Sequence, residues 1–137
     1  MLVDGCGRRI DYLRLSVTDR CDLRCAYCMP PAFDDYEIPN HWLSFDEIVR
    51  VSRIFIGLGV SRVRLTGGEP LLRARIGDLA QGIGQIPGLH DLSVSTNGTR
   101  LKQFAAKLRS SGVQRLNVSL DTLSPSRFLR LTRRDGL

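Results

Sequence analysis

Four short runs in this chain alternate apolar and polar side chains, and the segments joining them carry helical periodicity. That combination constrains the fold more than any other feature. The runs are Tyr12 to Val17, Arg62 to Thr66, Asp91 to Ser95 and Arg115 to Leu120. Successive side chains on a strand point to opposite faces. Leu13, Leu15 and Val17 therefore share one face, and Arg14, Ser16 and Thr18 the other. Val63 and Leu65 oppose Arg64 and Thr66, Leu92 and Val94 oppose Ser93 and Ser95, and Leu116, Val118 and Leu120 oppose Asn117, Ser119 and Asp121. Helical connections point to parallel strands, because antiparallel neighbours can be joined by tight hairpins. A parallel sheet covered on both faces usually reads as continuous apolar runs. Here helices must cover only the apolar face, and the polar face lines either water or a ligand-filled interior. Parallel strands favour the interior. The expected class is α/β: about four β/α units of an incomplete TIM-like barrel, with its chemistry at the C-terminal strand ends.

The helices have their own signals. Ser44 with Glu47 three residues on is a capping-box pattern. Phe45, Ile48, Val49, Phe55 and Ile56 follow at helical spacing until Gly57 and Gly59. Further helices are expected over about Ile76 to Ile86 and Thr99 to Ser111, and a last one opens at Ser124-Pro125. Pro30 to Trp42 reads as a long loop without a period. The length of 137 residues suits one domain with a real core. Net charge is +6, carried almost wholly by arginine, with Lys102 and Lys107 as the only lysines. Those arginines are scattered rather than striped, so nucleic acid is not an expected partner. No apolar run is long enough for a bilayer, so no membrane partner is expected. No export-like segment opens the chain, and a reducing cytoplasm is the expected compartment.

The strongest chemical signal is Cys21-Asp22-Leu23-Arg24-Cys25-Ala26-Tyr27-Cys28, directly after the first strand. Three thiolates on one loop can hold three irons of a four-iron cluster. The fourth iron would then stay open to a small molecule. Structural zinc is the rival reading, but it wants two separated ligand pairs, and only Cys6, His41 and His90 remain. A ferredoxin-type site wants a fourth cysteine just beyond the third, where Met29-Pro30-Pro31 stands instead. A disulfide framework fits poorly, with three of four cysteines crowded on one loop. Cys6 is read as a plain small residue.

With Gly67-Gly68-Glu69-Pro70 after the second strand, this cysteine spacing resembles the radical S-adenosylmethionine superfamily. Leu13 to Cys21, Arg64 to Pro70, Thr96-Asn97-Gly98, Asn117 to Asp121 and Thr132 to Leu137 resemble, within it, the GTP 3′,8-cyclase family of molybdenum cofactor biosynthesis. The resemblance implies a (β/α) barrel of the radical SAM type and conversion of GTP to 3′,8-cyclo-7,8-dihydro-GTP. It implies a [4Fe-4S] cluster on Cys21, Cys25 and Cys28, with S-adenosyl-L-methionine chelating the open iron and cleaved by one electron. Tyr27, Gly67, Gly68 and Ser119 match that cofactor's contacts, and Arg14, Arg64 and Ser95 match contacts to GTP. Glycine permits the close backbone approach such a cofactor needs. An internal salt bridge from these arginines to Glu69, Asp19 or Asp121 is the structural alternative. No side chain of this stretch is expected to act as acid or base. An electron donor such as flavodoxin or ferredoxin is implied, and a homodimer is compatible.

The family's pattern also includes about two further β/α units and a second three-cysteine segment, and this sequence contains neither. The expectation is therefore the N-terminal portion (residues 1–137) of a radical SAM core, inactive alone in cyclisation. Two alternatives stay open: a radical SAM enzyme for a peptide or other nucleotide, and a non-catalytic iron–sulfur or zinc module.

Overall fold

The computed structural model describes residues 1–36 and 41–137. Strand β1 (Tyr12–Ser16) leads through the cysteine loop to helix α1 (Phe45–Gly57). Strand β2 (Arg62–Thr66) is followed by a 3-10 turn, Pro70–Leu72, and helix α2 (Ile76–Gly84). Then come β3 (Asp91–Thr96), α3 (Leu101–Ser110), β4 (Arg115–Val118) and α4 (Pro125–Thr132). The four strands pair in parallel, in the order β1-β2-β3-β4. This is the expected α/β arrangement, as an open four-stranded sheet not closed into a barrel. The long loop expected over Pro30 to Trp42 includes residues 37–40, which lie outside the described residues. Among the described residues, no helix is long and apolar enough to cross a membrane.

Register sorts the polar face into layers. Tyr12 sits beside Arg62, Arg14 beside Arg64, and Arg64 beside Ser93. One layer nearer the C-terminal strand ends, Ser16 pairs with Thr66 and Ser95 with Asn117. On the opposite face Val63, Leu65 and Val94 are fully buried, with Leu92 close behind, against Leu79, Ile83 and Leu108 of the helices. Helix cover thins toward the edges. Leu13 and Leu15 of β1 are half-buried, whereas Leu116 and Val118 of β4 are 40% and 49% exposed. The strand alternation alone places all four strands alike, but an edge strand has one neighbour fewer to bury it. The polar face is not uniformly a ligand lining either. Ser93 is fully buried, accepts from Arg64 Nε at 3.3 Å, and donates to the Val63 carbonyl at 3.4 Å.

The capping box is present as expected. The Glu47 backbone N–H donates to Ser44 Oγ at 3.3 Å, and Ser44 N–H donates to Glu47 Oε2 at 2.7 Å. Two otherwise unpaired helix-end donors are thereby satisfied. Glu47 also places negative charge at the positive end of the helix dipole. Helix α4 is less conventional, because its end holds the cysteine loop. The last carbonyls of a helix have no intrahelical partner. Those of Leu131 and Thr132 accept from the Ala26 and Arg24 N–H groups, each at 2.8 Å.

Ser44→Ala is expected to lower unfolding free energy by about 1 kcal/mol, measured by urea denaturation. The Ser44 N–H holds the Glu47 carboxyl below its ordinary value. Its contribution is then present above the ordinary carboxylate range and fades as pH falls through the depressed value. The Tm gap between the unsubstituted chain and Glu47→Gln should therefore narrow below a pH of about 4.

Candidate functional site

The site begins with a backbone junction. Gly67 and Gly68 leave β2 and run hard against the chain leaving β1. A Cβ on Gly67 would lie 2.2 Å from the Thr18 carbonyl oxygen, and one on Gly68 would lie 2.3 Å from that of Arg20. Gly67 also holds φ +140°, which side-chain-bearing residues rarely adopt. At this contact Gly68 N–H donates to Thr18 O and Glu69 N–H to Arg20 O, both at 2.7 Å. The two glycines thus fix where the cysteine loop departs.

Glu69 completes the junction from inside. Its carboxylate is fully buried. Oε1 accepts from Leu71 N–H at 3.0 Å and Thr96 Oγ1–H at 2.8 Å, and Oε2 accepts from Asn97 N–H at 2.6 Å. It therefore ties the end of β2 to the end of β3 rather than pairing with an arginine, which overturns the salt-bridge alternative for this residue. Arg73 braces the other side, donating to Val17 O at 2.7 Å and to Leu43 O.

Above the junction lies a concavity of about 280 Å³. Its lining brings together Arg14, Cys21, Cys25, Tyr27, Cys28, Gly67, Gly68, Ser95 and Ser119, with Thr66, Thr96 and Asn97 between them. Nine of the ten residues singled out by sequence thus line one recess. Arg64 is the exception: it pairs with Arg14 in the sheet register, but its side chain is engaged on Ser93 Oγ, with its guanidinium 5.4 Å from the Tyr12 ring centre. A larger hollow of about 800 Å³ lies against Trp42, Phe45 and Arg73. No cysteine lines it, and the Arg73 guanidinium is already engaged by two carbonyls, so size does not mark the site here.

All three loop thiols are free. Cys6 is also free but sits in the exposed N-terminal segment, its N–H on Asp4 Oδ1 at 2.9 Å, away from the cavity lining. Among the described residues, no three His, Cys, Asp or Glu groups converge as ligands of one metal ion would. A cluster makes a different demand, since each thiolate binds a different iron. Three soft thiol donors around one recess, facing a wall cleared of side chains at Gly67 and Gly68, fit such a group. Burial pushes the Cys21 thiol pKa up, opposed by the Leu23 N–H and the Asn97 amide.

Tyr27 bridges two distant parts of the chain. It is 65% exposed and donates its hydroxyl to Asp121 Oδ2 at 2.6 Å, joining the cysteine loop to the chain beyond β4. That carboxylate bond is the main cause holding the phenol pKa well above its ordinary value. Arg24 organises the far side of the loop, donating to Phe33 O at 3.1 Å and to the Tyr36 hydroxyl. Asn97 and Asp121 lie in stretches that the sequence singles out, Thr96-Asn97-Gly98 and Asn117 to Asp121, but their partners, and the part played by Asp22, are visible only in the structure.

Comparison with known proteins agrees with the motifs. Residues 15–137 match the family model described as the radical SAM superfamily. GTP 3′,8-cyclase of Ectopseudomonas mendocina is 53% identical over 136 residues, and GTP 3′,8-cyclase 2 of Pseudomonas aeruginosa is 54% identical over 137. Each alignment covers 99% of this chain and 41% of the relative. The chain thus spans about two fifths of the length of these relatives. Among solved structures, Streptococcus suis SuiB bound to precursor peptide SuiA superposes with a TM-score of 0.73 at 21% identity. That match covers 91% of this chain and 27% of SuiB. SuiB bound to S-adenosylmethionine gives 0.71 at 20% identity, covering 92% and 27%. These two show a shared fold.

Gly68→Ala is expected to lose at least about 2 kcal/mol, because the obstructing atom is backbone. Gly57→Ala, with open space around its Cβ position, should be neutral or gain up to about 1 kcal/mol. Denaturant midpoints read both. Glu69→Gln should cost about 2–3 kcal/mol, since its amide would face a backbone donor.

Proposed function

Because the chain belongs to the radical S-adenosylmethionine superfamily, we propose that it supplies the cluster- and cofactor-holding part of a GTP 3′,8-cyclase. The observation that carries this reading is the shared recess of Cys21, Cys25 and Cys28 beside Gly67, Gly68 and Ser119, with Cys6 elsewhere. The three thiols would hold a [4Fe-4S] cluster, leaving one iron open to S-adenosylmethionine. When bound, that pair supplies a carbon-centred radical by one-electron cleavage of the sulfonium.

This chain's residues position and shield. Gly67 and Gly68 allow a ligand's amino end to reach the backbone. Ser119, exposed at the end of β4, offers a hydroxyl on the opposite wall. Tyr27, tethered to Asp121, narrows the mouth between those walls. Arg14 and Ser95 lie in the same recess and would meet GTP, the arginine matching phosphate or guanine acceptors. Arg64 would reach the nucleotide only by leaving Ser93, so in this reading it flanks Arg14 within the same layer of the sheet. The electron would come from a small carrier such as flavodoxin or ferredoxin, in the cytoplasm, and a homodimer is compatible.

The test is anaerobic reconstitution of the chain. Cluster-bound iron is expected, with a reduced-state EPR signal that changes on adding S-adenosylmethionine. Cys21→Ala, Cys25→Ala and Cys28→Ala should each abolish that response, while Cys6→Ala should leave iron content unchanged. A spectrum indifferent to S-adenosylmethionine, or iron that depends on Cys6, would falsify the reading.

A further inference from the structure

Cys21 does not face the recess alone. Asn97, in the turn after β3, lies with its side-chain Nδ2 3.8 Å from Cys21 Sγ and 2.7 Å from Asp22 Oδ1. Its orientation is dictated by the other end of the amide. Asn97 Oδ1 accepts from the Thr99 backbone N–H at 3.0 Å. Turning the amide over would set its NH₂ against that backbone donor, so the oxygen must stay where it is. The two amide protons are therefore left for Asp22 and the sulfur.

The frame around this amide is tight. The Asn97 backbone is held by buried Glu69 through the 2.6 Å bond to its N–H. The Thr99 hydroxyl lies 2.7 Å from Asp22 Oδ2 and 2.8 Å from Asn97 Oδ1. Asp22 is the residue after Cys21, so the same network fixes the loop carrying the sulfur. Aim and distance are set by three elements: the β2 turn, the β3 turn and the cysteine loop.

We infer that Asn97 is a positioning residue that donates an N–H···S hydrogen bond to the Cys21 ligand and thereby sets the reduction potential of the cluster. The inference rests on the cluster reading above. Hydrogen bonds to ligand sulfur are among the protein's levers on cluster potential. An amide donor favours the more electron-rich state, and it acts more strongly where water is partly excluded. The reduced cluster is the state that must deliver one electron, so this donor governs how readily a carrier can charge the site.

The experiment compares reconstituted unsubstituted chain, Asn97→Ala and Asp22→Ala by iron content and by EPR-monitored dithionite titration without S-adenosylmethionine. In Asn97→Ala the one-electron reduction constant is expected to fall about tenfold, a midpoint about 59 mV more negative. Asp22→Ala disturbs the same frame but keeps the sulfur donor and removes a negative charge, so its midpoint should not fall. An unshifted Asn97→Ala, or equal drops in both variants, overturns the proposal. Should Asn97→Ala fail to take up iron, the unsubstituted chain labelled with ¹⁵N-asparagine decides. A weak nitrogen coupling to the reduced cluster supports the donor, and its absence overturns it. An unsubstituted chain that binds no iron would instead remove the cluster reading beneath the proposal.

Discussion

One buried carboxylate holds the working end of this molecule together. Glu69 has no contact with solvent, and its two oxygens accept from the Leu71 N–H, the Thr96 hydroxyl and the Asn97 N–H. A buried charge is tolerated only when it is thoroughly hydrogen-bonded. Here the bonds come from two different strand ends, so satisfying the charge fixes the separation of the β2 and β3 turns. The preceding glycines extend that fixation to β1 through the paired backbone bonds to Thr18 and Arg20. Three parallel strands are thus stitched at their C-terminal ends, where the chemistry of such folds resides.

From this junction the cysteine loop departs in a set direction and is gripped again at its far end. The open carbonyls at the end of α4 accept from Arg24 and Ala26. Arg133, just past that helix, donates to Met29 O at 3.3 Å. A loop whose three thiols are proposed to share one cluster gains nothing from mobility. Positioning it between a sheet edge and a helix end spares the cavity side for ligand.

The polar face divides its labour by depth. Low in the sheet, arginines are engaged by the chain itself: Arg62 and Arg64 over the Tyr12 ring, and Arg115 on Asp91. Higher up, small hydroxyls and Arg14 leave room. The lower arginines are committed to partners within the chain while the upper layer stays open, which is how one strand pattern can serve both stability and binding.

Much of this was legible from residues alone. Alternation at period two gave the strands and the face of Arg14 and Ser95, because a strand's side-chain geometry is local. Ser44 and Glu47 announced the start of α1 for the same reason. The cysteine spacing and the Gly-Gly-Glu-Pro turn marked the site, since both are short-range patterns with few structural uses. What the chain could not announce were relations between segments distant in sequence. That Glu69 would face Asn97 instead of an arginine, that Arg64 would engage Ser93 while its neighbour Arg14 lines the recess, that Tyr27 would reach Asp121, and that α4 would clasp the cysteine loop all depend on register and packing. Those are fixed only when the strands pair and each buried polar group must find a partner, a condition that no single segment can satisfy by itself.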